Sequence, residues 1–218
     1  MTGTPADRGR VICGSFCTLH LTCPACRRVT SRLCDTIPVK HRDPGAAPAL
    51  WYRSRPSTHL ANVTVDLALY QPDIPQNTGT LLRLGACLGV RLHIIHPTGF
   101  AFTRANLKRG GLDYLDSADF TEHVSYASFD AWRRGAGRRL VLLTTKASQS
   151  AYAARFEPID VLLLGRESAG VPESVAADAD LRLRIPMRPG LRSINVAVAA
   201  SLILGEAMRQ TNGFEALT

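Results

Sequence analysis

Three short segments of this chain gather residue types that could do chemistry. The first is Pro75-Gln76-Asn77-Thr78-Gly79-Thr80-Leu81-Leu82-Arg83, which reads as a helix start with Asn77 or Thr78 able to cap it. Gly79 lies one turn before Arg83 on the same face, leaving open space in front of a guanidinium that can meet a phosphate or a ribose. An ordinary capped helix with a surface arginine would give the same pattern. The second is Leu162-Leu163-Leu164-Gly165-Arg166-Glu167-Ser168-Ala169-Gly170-Val171-Pro172, a buried strand delivering a polar turn that ends where Pro172 can begin a helix. Gly165 allows a close approach to the backbone, and Glu167 sets a carboxylate at the strand end. A tight turn whose glutamate complements the next helix dipole is the plainer alternative. The third is Ile185-Pro186-Met187-Arg188-Pro189-Gly190-Leu191-Arg192-Ser193-Ile194-Asn195. Two prolines stiffen this loop and Ser193 is placed to cap the following helix. A rigid connection alone does not explain why Arg192, Ser193 and Asn195 crowd one helix start, whereas a loop presenting backbone groups to a flat heterocycle does.

Positioning these segments requires strands that end beside one another. From Val63 onward short apolar runs alternate with helical stretches. The pattern predicts strands over 63–70, 91–95, 120–125, 140–145, 160–164 and 181–185, and helices over 78–88 and 104–109. Val161 to Leu164 is apolar at consecutive positions, as in a parallel strand covered on both faces. Strand-helix alternation implies an open α/β sheet, in which ligands bind outside the carboxyl ends of the strands. The common nucleotide signatures are missing. The loop Gln71-Pro72-Asp73-Ile74-Pro75 carries no G-x-G-x-x-G fingerprint, and the glycine spacing of 165–170 is followed by Val171 and Pro172 where a phosphate-binding loop needs Lys and Ser or Thr.

N-T-G-x-x-x-R, G-x-E-x-x-G-V-P and I-P-M…R-S-x-N, in that order and with Leu143-Thr144-Thr145-Lys146 between the first two, resemble the SPOUT methyltransferases. Within that superfamily the chain is similar to the small tRNA ribose 2′-O-methyltransferases acting on the wobble nucleotide, from Val63 to about Gln210. The resemblance implies a parallel sheet flanked by helices with a C-terminal deep trefoil knot, an exception to the unknotted rule. It implies S-adenosylmethionine as cofactor and tRNA as partner, with no metal. It carries cofactor contacts to Leu143, Gly165, Ile185 and Ser193. Backbone groups there can read an adenine edge, with Leu143, Ile185 and Leu191 against its faces. Arg83, Ser193 and Asn195 become the candidate catalytic residues, and Asn77, Arg83 and Arg192 the candidate substrate contacts. Glu167 is a motif residue without an assigned role. Two alternatives stay open: methylation of ribosomal RNA, and a knotted RNA-binding module without catalysis.

Charge and composition bound the rest. The chain has 218 residues, 45% of them hydrophobic, and a formal charge of +8, which suits one α/β domain with an appendage. Most of that charge is in residues 1–62, which hold nine Lys or Arg against three Asp or Glu; the remainder nets only +2. RNA binding by the folded part therefore rests on local clusters: Arg104, Lys108 and Arg109; Arg133, Arg134, Arg138 and Arg139; Arg182, Arg184, Arg188 and Arg192. Each can equally be solvated surface charge. Residues 1–62 carry Cys13, Cys17, Cys23, Cys26 and Cys34 without a sustained apolar period. The spacings C-x₃-C and C-x₂-C occur in zinc sites, but the pairs lie too close together for a standard knuckle. This segment reads as an over-extended reading frame, with translation starting near Val63 or Val65, or as a disordered basic arm; a chain starting at Val63 is expected to fold and be active. No stretch reads as a secretory signal or a bilayer span, which makes the cytoplasm the expected compartment. The helix expected over 194–210 is apolar around most of its circumference, more than one core face needs, and points to a homodimer through it.

Overall fold

The computed structural model describes residues 64–108 and 116–217; the cysteine-rich segment, the candidate zinc pairs and Arg109 lie outside them. The elements, in chain order, are β1 (Asp66–Tyr70), α1 (Pro75–Leu88), β2 (Leu92–Ile95), α2 (Arg104–Lys108), β3 (Phe120–His123), α3 (Tyr126–Gly135), β4 (Arg139–Leu143), β5 (Gln149–Ser150), β6 (Asp160–Leu164), α4 (Glu173–Ala177), β7 (Leu181–Arg184) and α5 (Val196–Gln210). Seven strands form one sheet in the order β3-β2-β1-β6-β4-β7-β5, and every pairing is parallel. The expected α/β architecture with a parallel, helix-flanked sheet is therefore present.

The apolar run in β6 is apolar because both faces are covered. Leu162 and Leu164 point to one side, where they join Leu67, Leu69, Leu92 and Ile94 under Leu81 and Leu82 of α1 and Ala200, Ile203 and Leu204 of α5. Val161 and Leu163 point to the other, with Ala68, Leu140 and Leu142 under Phe129 of α3 and Val175 of α4. The two-residue side-chain period of a strand sorts a continuous run onto two helical layers.

Three boundaries differ from expectation for local reasons. The strand expected over 120–125 stops at His123, because Ser125 caps α3: its hydroxyl accepts from Ser128 N–H while Ser128 Oγ answers the Ser125 amide. Helix α1 starts at Pro75, whose missing N–H is one fewer unpaired donor in the first turn, with Ile74 in the cap position making no side-chain bond. Neither Asn77 nor Thr78 is the cap. Strand β5, two residues paired with β7, carries no periodicity long enough to be read.

The second arginine cluster proves structural. Arg133 pairs with Asp130 and Asp180, Arg134 with Asp130 and Asp178, Arg138 with Asp66, and Arg139 with Glu157 and Asp160. Arg138 anchors a buried polar line across three strands. Its guanidinium lies 2.7 Å from Asp66 Oδ2, which is 3.4 Å from His93 Nε2, and His93 Nδ1 is 3.0 Å from His123 Nε2. Asp66 accepts from His93 Nε2–H, so His93 Nδ1 must itself accept, and His123 donates from Nε2. Burial, reinforced by the neighbouring His93, lowers the His123 pKa to about 4. The unfolded chain then takes up this proton first, so the stabilising contribution is complete above about pH 6.5 and is lost as pH falls toward 4. A shift of that size corresponds to about 3 kcal/mol. Denaturant titrations should follow this fall in the wild-type chain and a flatter curve for His123→Gln; parallel curves would remove His123 as the cause.

Candidate active site

The carboxyl ends of β1, β4, β6 and β7 lie side by side, and the loops that leave them surround a cleft of about 570 Å³. That is within the ordinary size of a small-molecule site. Leu143, Gly165, Ile185, Ser193, Asn195, Asn77, Arg192 and Glu167, all expected from sequence, line it. Arg83 does not. It belongs to the exposed stripe of α1 with Gln76, Thr80 and Cys87, roughly 9 Å along the axis from Asn77 at 1.5 Å per residue. Leu191, expected to flank a heterocycle, is exposed at 65% and lies outside the lining; Leu142 and Met187 line it instead.

One hydrogen-bonded line joins the three motifs. Glu167 accepts from Asn77 Nδ2 at 3.0 Å and from the Asp73 amide at 2.8 Å. A carboxylate only accepts, so the amide of Asn77 must turn its donor end to Glu167 and leave Oδ1 for another partner. That partner is Asn195 Nδ2, at 3.0 Å. Asn195 is thereby turned with Oδ1 toward the start of α5, where it accepts from the amides of Ala197 and Val198. The helix cap is Asn195, not Ser193 as expected, and the buried Asn77 is its support.

A second set of contacts holds the β1–α1 loop against the β6–α4 loop. Asp73 Oδ1 accepts from Arg166 at 2.8 Å, and Oδ2 accepts from the amide and hydroxyl of Ser168. The Arg166 hydrogen bond, followed by Ser168, holds the Asp73 pKa at about 2, so this clasp is ionised throughout the physiological range. Sequence reasoning missed Asp73, Arg166 and Ser168 as a unit. Their partners are more than ninety positions apart, and no local period links them.

Gly165 is glycine for an internal reason. A Cβ there would sit 2.6 Å from the Gly170 carbonyl carbon, because Arg166 and Gly170 exchange backbone hydrogen bonds across the turn at 3.0 and 2.8 Å. Gly170 itself has φ +69°, in the left-handed region that favours glycine. The close approach foreseen for a ligand is made first by the loop to itself.

The cleft lining contains no histidine. Its two carboxylates are engaged, Glu167 with Asn77 and Asp73, and Glu173 with Arg182 at 3.2 Å. What remains is apolar walls, backbone groups from four loops and a cationic edge, an arrangement suited to holding a heterocycle with a polar tail. Among the described residues no group of three or more His, Cys, Asp or Glu is placed to hold a metal ion.

A model of the SpoU rRNA Methylase family matches residues 64–205, from the residues before β1 into α5. This chain belongs to that family. Among its curated relatives, the tRNA (cytidine(34)-2'-O)-methyltransferase of Beijerinckia indica subsp. indica is 60% identical over 144 residues, 66% of this chain and 90% of that protein. The protein of the same name from Escherichia coli (strain K12) is 41% identical over 148 residues, 67% of this chain and 93% of its own. A solved structure described as giving structural insights into the 2-OH methylation of C/U34 on tRNA is similar at TM-score 0.65 and 43% identity, covering 69% of this chain and 97% of that one. The AdoMet-bound rRNA methyltransferase from Sinorhizobium meliloti is similar at TM-score 0.61 and 26% identity, over 67% of this chain and 56% of that one. The matched region contains all three sequence motifs, the segments that Glu167, Asn77 and Asn195 tie together.

Proposed function

We propose that this chain transfers a methyl group from S-adenosylmethionine to the ribose 2′-hydroxyl of the wobble nucleotide in a tRNA anticodon loop. The observation that carries the reading is the Glu167–Asn77–Asn195 line around a cleft at the strand ends, in a chain 60% identical to a protein named for methylating cytidine 34 of tRNA. S-adenosylmethionine supplies a methyl group on a positively charged sulfur, already activated toward a nucleophile. Leu143, Ile185 and the Gly165 turn would hold the heterocycle, with Ser193 against it from the β7–α5 loop, and Arg192 would meet the RNA; all of them line the cleft. When bound, the cofactor would supply the methyl group to the 2′-oxygen and leave as the neutral thioether; the part of this chain would be to align the hydroxyl, and the lining offers it no histidine and no uncommitted carboxylate, so its proton would pass to solvent. Mapping of ribose methylation in bulk tRNA from cells with and without the gene tests this: loss of the mark at the wobble position supports it, and a mark lost only from ribosomal RNA favours the alternative substrate.

Gly165→Ala should weaken cofactor binding about tenfold or more, because relieving a contact of 2.6 Å against backbone costs on the order of 1–3 kcal/mol and displaces the turn. Calorimetry with S-adenosylmethionine checks this, and unchanged affinity would detach the turn from the cofactor.

The proposal includes a trefoil knot in the C-terminal part, supported by family membership and by the insertion of β6 between β1 and β4 before α5 returns to the α1 face. It also includes a homodimer through α5. Opposite its buried Ala200, Ile203 and Leu204, the helix exposes Val198 and Leu202 one turn apart, continued by Ile194, an apolar stripe that a second copy would cover. Light scattering at micromolar concentration should give twice the chain mass; a monomer would contradict it. No helix among the described residues is long and apolar enough to cross a membrane, in keeping with a cytoplasmic enzyme acting on tRNA. Residues 1–62 are proposed to be dispensable, as the family match begins at residue 64.

A further inference from the structure

Most arginines of the described residues are matched by carboxylates: Arg91 by Asp119, Arg104 by Asp116, Arg133 and Arg134 by Asp130, Arg138 by Asp66, Arg139 by Asp160, Arg166 by Asp73, Arg182 by Glu173 and Arg209 by Glu206. Lys146, Arg184, Arg188 and Arg192 stand apart. All four are exposed, and none has an ion-pair partner among the described residues. They also share one place in the fold. Lys146 lies on the loop leaving β4, Arg184 ends β7, and Arg188 and Arg192 lie on the loop from β7 to α5. Lys146 and Arg192 themselves line the cleft. Unmatched positive charge at one edge destabilises a fold by self-repulsion unless a polyanion neutralises it.

We propose that Lys146, Arg184 and Arg188, with Arg192, form a track along one edge of the cleft for the ribose-phosphate backbone of single-stranded RNA. This rests on the RNA-methyltransferase reading and adds the surface that holds the strand. The cations come from the carboxyl ends of the neighbouring strands β4 and β7 and the loops that leave them, two of them on the cleft lining and two beyond it, so a strand entering the cleft along this edge meets several charges in succession. Contacts of this kind set register without reading sequence. Arg155 provides an internal comparison. It is exposed and without an ion-pair partner among the described residues, but it precedes β6 beside Phe156 and Asn212, at the opposite end of the sheet.

The test measures binding of unmodified tRNA by the full chain over a series of salt concentrations, for the wild type, the triple variant Lys146→Gln, Arg184→Gln, Arg188→Gln, each single variant, and Arg155→Gln. Each lost phosphate contact on a single strand lowers the slope of log affinity against log salt by about 0.7. The triple variant should therefore lose about 2 from the slope and bind at least tenfold more weakly at low salt, with a melting temperature at or above that of the wild type, while Arg184→Gln and Arg188→Gln, outside the cleft lining, should leave cofactor affinity unchanged. Arg155→Gln should match the wild type. A wild-type slope in the triple variant, or an equal loss in Arg155→Gln, overturns the track while leaving methylation by the wild-type enzyme intact. A wild-type chain that neither binds nor methylates tRNA overturns the underlying reading as well. If the triple variant unfolds, the single variants decide the matter by the same slope criterion.

Discussion

Arg83→Ala is expected to lose about 10²-fold or more in turnover, the scale of a missing electrostatic group in a transition state, while cofactor affinity stays nearly unchanged. A ribose hydroxyl is a weak nucleophile at neutral pH, and the cleft offers it no histidine and no uncommitted carboxylate. A cation that holds the neighbouring phosphate, or stabilises negative charge growing on the oxygen, is then the main assistance available from a side chain. We propose that Arg83 assists in this way, through the planar fork of its guanidinium. Its place on the exposed stripe of α1, outside the cleft lining, gives the two halves of the expectation. We propose that it addresses the RNA and not the cofactor. Arg83→Lys should recover only part of the loss, because an ammonium keeps the charge without the planar fork. Single-turnover kinetics and calorimetry check both halves: near-normal turnover in Arg83→Ala would remove the residue from the mechanism, and a collapse of cofactor binding would move it to the cofactor.

Asp160→Ala is expected to cost about 3–5 kcal/mol of stability, the range for breaking a buried ion pair from one side. Asp160 is fully buried at the start of β6. Its carboxylate accepts from Arg139 Nε at 2.6 Å, from the other arm of that guanidinium at 2.8 Å and from the Glu157 amide at 2.9 Å. Arg139 and Asp160 face each other in register across β4 and β6, so the pair sets the alignment of the two strands whose far ends deliver Leu143 and Gly165 to the cleft. Removing the carboxylate leaves a partly buried guanidinium with only Glu157 and the Arg155 carbonyl as partners and strands one amide. Chemical denaturation should show the midpoint falling without a change in slope; a loss below about 1 kcal/mol would mean that water replaces the carboxylate at little cost.

The sheet was readable because its signal is local and redundant. Leu162 to Leu164 can be nothing but a two-sided strand once helices alternate with it, and the bounds expected for β6 match those observed. Caps were less readable, since Ser193, Asn195, Asn77 and Thr78 all have side chains that can cap and only the tertiary partners decide between them. Asn195 caps α5 because Asn77 fixes its amide, and Asn77 is available for this because it lies inside the first turn of α1 and not at its cap position. The clasp of Asp73 with Arg166 and Ser168 was illegible for the same reason: pairs that close across a fold leave no spacing in the chain. Charge was misleading in total and informative in detail. The run Arg133, Arg134, Arg138 and Arg139 looks like a basic surface in sequence and is a set of ion pairs in the fold, buried at Arg133, nearly so at Arg138 and exposed at Arg134, whereas the loop arginines near residue 190 have no such partners among the described residues.

The central claim is tested most directly by incubating the purified chain with S-adenosylmethionine carrying a labelled methyl group and a set of unmodified tRNAs, then locating the label nucleotide by nucleotide. The expected result is a single labelled ribose at the wobble position of a subset of tRNAs, none in a preparation lacking the cofactor, and at least a hundredfold slower labelling by Arg83→Ala. Label on a base, at another position, or only on ribosomal RNA supplied in parallel would contradict it.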